Sequence, residues 1–227
     1  MKISREFSKY AGDYESRNSI QNLVVEKLLS LVKNQPKKFL DLGCGSGALY
    51  KQIEWEYEKV IGVDFAHGML ALHPKDDKVS LMFGDFNEDE LFARLAIEHY
   101  DYILSASALQ WATDLDRTFK NIAKLNAPVS FAIFTANTFK TLNKTAGIDS
   151  MLLSVKELES LQKKHFNANF ELIEYRLEFE SVRDMLRYIK KSGVSGSRNL
   201  LSVKELKALM QNYPLNYLEF EVAFISS

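Results

Sequence analysis

A chain of 227 residues, 46% apolar and 26% charged, has the size and composition of one globular domain. Its formal charge of −1 excludes a general polyanion binder but leaves room for a local basic patch. One cysteine cannot form an internal disulfide, the four histidines are scattered, and no apolar run nears the ~20 residues of a membrane span.

The start, Met1 to Glu6, has no signal-peptide core, so a cytoplasmic, monomeric protein without a metal is expected. Ile20, Leu23, Val24, Leu28, Leu31 and Val32 fall on one helical face and predict a helix over 17–32 packed on a sheet. Phe39-Leu40-Asp41-Leu42 is a strand that runs into Gly43-Cys44-Gly45-Ser46-Gly47 and then into a helical pattern. Further strands follow at Val60–Asp64, Val79–Phe83, Tyr100–Leu104 and Val129–Thr135, with helical stretches between them. That alternation predicts a parallel sheet.

Beyond residue 135 the rhythm changes. Residues 138–165 read as helical, and Ile173, Tyr175, Leu177 and Phe179 then alternate with charged residues. A helical insert over 181–212 precedes a last alternation at Leu218, Phe220, Val222 and Phe224. Both late strands are expected at the sheet's edge with one wet face. The heptapeptide Leu-Leu-Ser-Val-Lys-Glu-Leu occurs at 152–158 and 200–206; Ser154 with Glu157, and Ser202 with Glu205, read as capping boxes starting two helices. The expected fold is α/β: a doubly wound, Rossmann-like, seven-stranded and mostly parallel sheet with an antiparallel last strand and helical inserts. One domain, 1–227, divides into a helical N-terminal lid (1–34), a cofactor-binding core (35–135) and substrate-side helices and edge strands (136–227).

Glycines 43, 45 and 47 between strand and helix are a nucleotide-binding device, since glycine lets backbone turn sharply and approach a ligand. Their spacing differs from the nicotinamide fingerprint, whose last glycine falls one residue later. Asp41 decides the ligand: a carboxylate here repels a pyrophosphate and attracts the ammonium of S-adenosylmethionine (AdoMet). Asp64 ends the second strand, 17 residues after Gly47, where an acid can hold ribose hydroxyls. Asp85 could accept from the adenine amino group, or serve only as a turn cap. Phe65, Met69 and Phe86 are candidates to flank the adenine, with core packing equally open for Met69. Cys44 fills the turn, and Ser105 opens the segment Ser105-Ala106-Ser107-Ala108-Leu109-Gln110-Trp111 after the fourth strand.

Over 37–135 the chain resembles class I AdoMet-dependent methyltransferases. Phe7, Ala11, Tyr14 and Gln21, then Ser105, Gln110 and Trp111, then Thr138, Phe139 and Leu142 are similar to the malonyl-acyl-carrier-protein O-methyltransferases of biotin synthesis. So are Leu186, Lys190 and Gly193 in the insert and the run Tyr213-Pro214-Leu215-Asn216-Tyr217. Departures are Ala106, where members often carry asparagine, Asn126-Ala127-Pro128 in place of a glycine pair, and Val194-Ser195 in place of alanine and threonine.

The resemblance implies methyl transfer from AdoMet to the free carboxylate of a malonyl thioester. It implies a lid of Phe7, Tyr10 and Tyr14, with Tyr14 near the sulfonium, although those aromatics could simply pack the first helix. It places Gln110 and Trp111 on the acceptor side and gives Lys190 a contact to the malonyl carboxylate or the carrier's arm. The partner would be an acidic acyl carrier protein, docked on a basic face of Arg183, Arg187, Lys190 and Lys191. Residues 181–210 hold seven basic side chains against two acidic ones, which fits docking or a solvated helix face. Methylation of a small free acid such as trans-aconitate, or AdoMet binding without catalysis, are the alternatives. Nucleic-acid methylation is disfavoured, because the segment after the fourth strand lacks an Asn/Asp-Pro-Pro-aromatic motif.

Overall fold

The computed structural model describes residues 19–191 and 202–227. Helix α1 (Ser19–Ser30) leads into β1 (Lys38–Leu42), β2 (Lys59–Asp64), α2 (His67–Leu72), β3 (Val79–Phe83) and α3 (Asp89–Leu95). Then come β4 (Tyr102–Ala106), α4 (Leu115–Ala123), β5 (Val129–Phe134), α5 (Lys140–Ala146) and α6 (Val155–His165). Strand β6 (Asn169–Glu178), α7 (Val182–Lys191), α8 (Val203–Asn212) and β7 (Tyr217–Ser226) complete it. The seven strands form one sheet in the order β3-β2-β1-β4-β5-β7-β6, with β7 antiparallel to both of its neighbours and the other adjacent pairs parallel. The expected architecture is therefore the observed one. Strand order reverses between β1 and β4, and ligands of open α/β sheets bind at the carboxyl ends of strands flanking such a reversal.

Two apolar layers sandwich the sheet. Ile20, Val24, Val25 and Leu28 of α1 pack on one face with Phe39, Leu104, Phe134 and Phe220. On the other, Leu91, Leu95, Phe119, Ile122 and Leu158 cover Leu40, Leu42, Ile103 and Phe131. Leu23 corrects the expected helix face: it is 46% exposed, while Val25 and Gln21 are buried. The stripe of Ile20, Val24 and Leu28 is widened on the side that turns toward the strand ends, not on the side of Leu23.

β7 corrects a second expectation. Its alternation suggested a half-exposed edge strand, but it lies between β5 and β6 and is buried along nearly its whole length. Its acids are used inside. Glu221 accepts from the Thr135 hydroxyl and from Asn137 Nδ2 at 3.0 and 3.1 Å; Glu219 accepts from Thr141 N at 3.1 Å and Thr141 Oγ1 at 2.6 Å. These bonds hold the turn from β5 into α5, where Phe139 sits at φ +60°. β6 is the true edge, exposed on alternate residues.

Both copies of the heptapeptide behave as capping boxes. Glu157 Oε2 takes Ser154 N–H at 2.8 Å and Glu205 Oε2 takes Ser202 N–H at 2.7 Å, while each serine hydroxyl accepts the glutamate's N–H. They start α6 and α8. The unusual turn before β5 works because Asn126 adopts φ +53°, a conformation asparagine tolerates better than most residues.

Candidate active site

The cleft at the strand-order reversal is built by the glycine turn. Gly43, Gly45 and Gly47 have φ of +79°, +53° and +83°, so all three occupy left-handed backbone. Gly43 has a second reason to lack a side chain: a Cβ there would stand 2.2 Å from Ala108 Cβ. Val63 O receives Gly43 N at 2.8 Å and Cys44 N at 3.0 Å, and Asp64 Oδ2 receives Gly45 N at 2.9 Å. The turn is thereby anchored to the end of β2. Cys44 Sγ fills the space above Gly62, and burial raises its thiol pKa, so it is a packing group.

Asp41 lines this cleft and is 2% exposed. Burial, and then the neighbouring Asp64 charge, push its carboxyl up to about 8. Asp64 is also raised by burial, partly offset by backbone N–H groups. Its two oxygens hold Gly45 N and Ala66 N (2.8 Å), so in this state it braces the turn as well as facing the cleft. No lysine or arginine lines the cleft among the described residues. Two buried carboxyls without a counter-ion leave a place for a cation.

The other predicted residues divide. Cys44, Phe65, Met69, Phe86 and Trp111 line the cleft with Asp41, Asp64, Gly43 and Gly45. Gly47, Ser105, Asp85 and Gln110 do not; Gly47 packs against His73 and Pro74. Ser105 Oγ donates to Leu42 O at 2.6 Å and ties β4 to β1. Asp85 Oδ1 accepts from Asn87 N and Nδ2 at 2.9 and 2.7 Å, which is the turn-cap alternative. Gln110 folds back, its Nε2 donating to Ser107 O at 2.6 Å. Tyr14 lies outside the described residues, as does the side chain of Lys190.

Gln21, Val25 and Ser107 also line the cleft and were not expected there. Val25 and Gln21 would have followed from centring the α1 stripe one residue further round. Ser107 carries no sequence signal, because its place depends on a left-handed φ of +59° that its residue type does not announce. A wider depression between α6 and β6, around Lys163, His165 and Asn167, gathers none of the predicted residues.

Residues 40–134 match the family model described as a methyltransferase domain. A malonyl-acyl-carrier-protein O-methyltransferase of a Methylovorus species is 28% identical over 85% of this chain and 72% of its own length. One from Geobacter sulfurreducens is 33% identical over 62% of this chain and 56% of its own. The Haemonchus contortus phosphoethanolamine N-methyltransferase 2, solved with S-adenosylhomocysteine and phosphomonomethylethanolamine, aligns at a TM-score of 0.53. It is 19% identical, covering 92% of this chain and 53% of that one. The chain carries a methyltransferase domain and has the class I methyltransferase fold.

The residues of this methyltransferase suit its cofactor. Asp41 offers the uncompensated buried carboxyl that an ammonium needs, and the glycines let backbone come close to a ligand. Phe65, Met69 and Phe86 give apolar walls on the Asp64 side, where an adenine ring would stack. AdoMet, when bound, supplies an electrophilic methyl group on a positively charged sulfur.

Proposed function

We propose that the enzyme esterifies the free carboxylate of a malonyl thioester carried on an acyl carrier protein, an early step of biotin synthesis. One observation carries this reading. The likeness to the Methylovorus enzyme spans 85% of the chain, whereas the methyltransferase-domain model stops at residue 134. The likeness therefore continues past residue 134, and the shared sequence includes more than the cofactor core.

The chemistry asks little of side-chain acid or base groups. A carboxylate with a reference pKa near ~4 is already ionised at neutral pH. The protein's work is alignment of a carboxylate oxygen with the methyl carbon and sulfur, which can remove roughly 7–11 kcal/mol of barrier. Trp111 closes one wall of the cleft and helps to exclude water, which would otherwise blunt the nucleophile.

Incubating the protein with AdoMet and malonyl-carrier protein should give a methyl ester detectable by mass spectrometry. Malonyl-coenzyme A and free diacids run beside it separate this reading from small-acid methylation. A free diacid esterified in preference to the thioester would replace the proposal.

Carrier docking belongs to α7. Arg183 and Arg187 are exposed four residues apart on one face, and Arg187 pairs with Asp184 one turn back, a surface contact of little net strength. Reversing Arg187 and Lys191 to glutamate is expected to raise KM for the carrier-bound substrate about tenfold while sparing a small thioester analogue. The carrier effect should shrink as salt rises. Equal effects on both substrates would remove the docking role.

A further inference from the structure

Among the described residues, two side chains facing the cleft carry buried polar atoms without a partner: Gln21 Oε1 and Ser107 Oγ. Gln21 is only 6% exposed, on an otherwise apolar stripe of α1. A glutamine there leaves polar capacity unused in the ligand-free state, which is costly unless something binds it. Ser107 is held with equal care. Its N–H donates to Ala132 O at 2.9 Å and its carbonyl accepts from Gln110, together fixing a left-handed conformation at a residue that lines the cleft.

We infer that the Ser107 hydroxyl and the Gln21 side-chain amide form a neutral cradle for the acceptor's carboxylate. This rests on the carboxyl-methylation reading above and adds how the acceptor is recognised. An amide can present its N–H₂ once rotated, and its O/N orientation is set by the bonds available to it. Both groups then donate to carboxylate oxygens. The absence of lysine and arginine from the described lining gives this cradle its chemical sense. A guanidinium would bind the substrate tightly, lower the nucleophilicity of its oxygens, and be left buried and unpaired once the neutral ester forms. Neutral donors hold the anion loosely and can still bond the ester carbonyl. Gln110 acts through Ser107 and is a positioning residue.

The test compares Ser107→Ala, Ser107→Asn and Gln21→Met with the wild type. Initial rates with malonyl-carrier protein are measured beside AdoMet affinity by calorimetry and melting temperature. Ser107→Ala is expected to raise KM for the acceptor about tenfold, with AdoMet Kd and melting temperature unchanged. Ser107→Asn, which keeps a donor and tolerates the left-handed backbone, should recover most of that loss. Gln21→Met should raise the same KM without moving AdoMet Kd. An active wild type whose acceptor KM is unmoved by Ser107→Ala and Gln21→Met overturns the cradle alone. Variants that weaken AdoMet and leave acceptor KM intact also overturn it, by assigning these atoms to the cofactor's amino-acid end. A wild type that esterifies no carboxylate removes the carboxyl-methylation reading, and the cradle with it.

Discussion

Asp41→Asn is expected to weaken AdoMet binding by at least about a hundredfold while raising the melting temperature of the ligand-free enzyme. Breaking a buried charge pair from one side costs about 3–5 kcal/mol, which at RT of roughly 0.6 kcal/mol exceeds two decades of affinity. The stability change has the opposite sign for a traceable reason. Burial lifts the carboxyl from an ordinary 3.8 to about 8, so folding favours its protonated form. That contribution is full below pH ~4 and is lost as pH rises toward 8, because the unfolded chain ionises freely there while the folded one cannot. Asparagine has no such loss, and near pH 8 its advantage should reach a few kcal/mol.

The same carboxyl sets the pH dependence of cofactor binding. An ammonium needs the ionised partner, so below pH about 8 binding must release a proton, and affinity should fall about tenfold per unit of acidification. Above ~8 the free cofactor's α-amino group begins to lose its own charge, and affinity should fall again. Calorimetry from pH 6 to 9 should therefore show tightest binding near pH 8 in the wild type. The acid limb should vanish in Asp41→Asn. If it persists in the variant, the ammonium is held elsewhere.

Gly43→Ala should be the most damaging single methyl at any of the described glycines. A Cβ at Gly43 would stand 2.2 Å from Ala108 Cβ, and φ at +79° disfavours any L side chain. Overpacking of this kind costs typically 1–3 kcal/mol and a left-handed non-glycine residue roughly 1–2 more. For a chain of this size that is a fall of about 5–15 °C in melting temperature. The two causes can be separated. Gly43→Ala combined with Ala108→Gly removes the collision but keeps the backbone strain, so it should recover about half of the loss. A single variant that melts like the wild type would mean that the turn and the 106–108 segment are not in contact.

What could be read before the fold was known follows a physical divide. Periodicity reports which residues want burial, and it located the strands and most helices correctly. The ligand type was legible because it rests on Asp41 and three glycines, whose chemistry is local. Neighbourhood was less legible. Alternation in β7 looked like a wet edge, yet Glu221 is buried because Thr135 and Asn137 wait for it, and no local pattern announces a partner 84 residues away. Ser105 and Gln110 were expected at the ligand, but Ser105 Oγ and Gln110 Nε2 each donate to a backbone carbonyl and neither residue lines the cleft. Ser107, with an unremarkable residue type, reaches the cleft only through its backbone angle.

The place of β7 also orders events during synthesis. Among the described strands, β6 pairs with β7 and not with β5. While a ribosome is still making residues 217–226, the cofactor-binding strands β1 to β4 can already associate, but β6 is left as an unpaired, amphipathic ribbon. Its threading into the sheet must be the closing move of folding, and a nascent chain stalled before residue 217 would display an adhesive edge to chaperones.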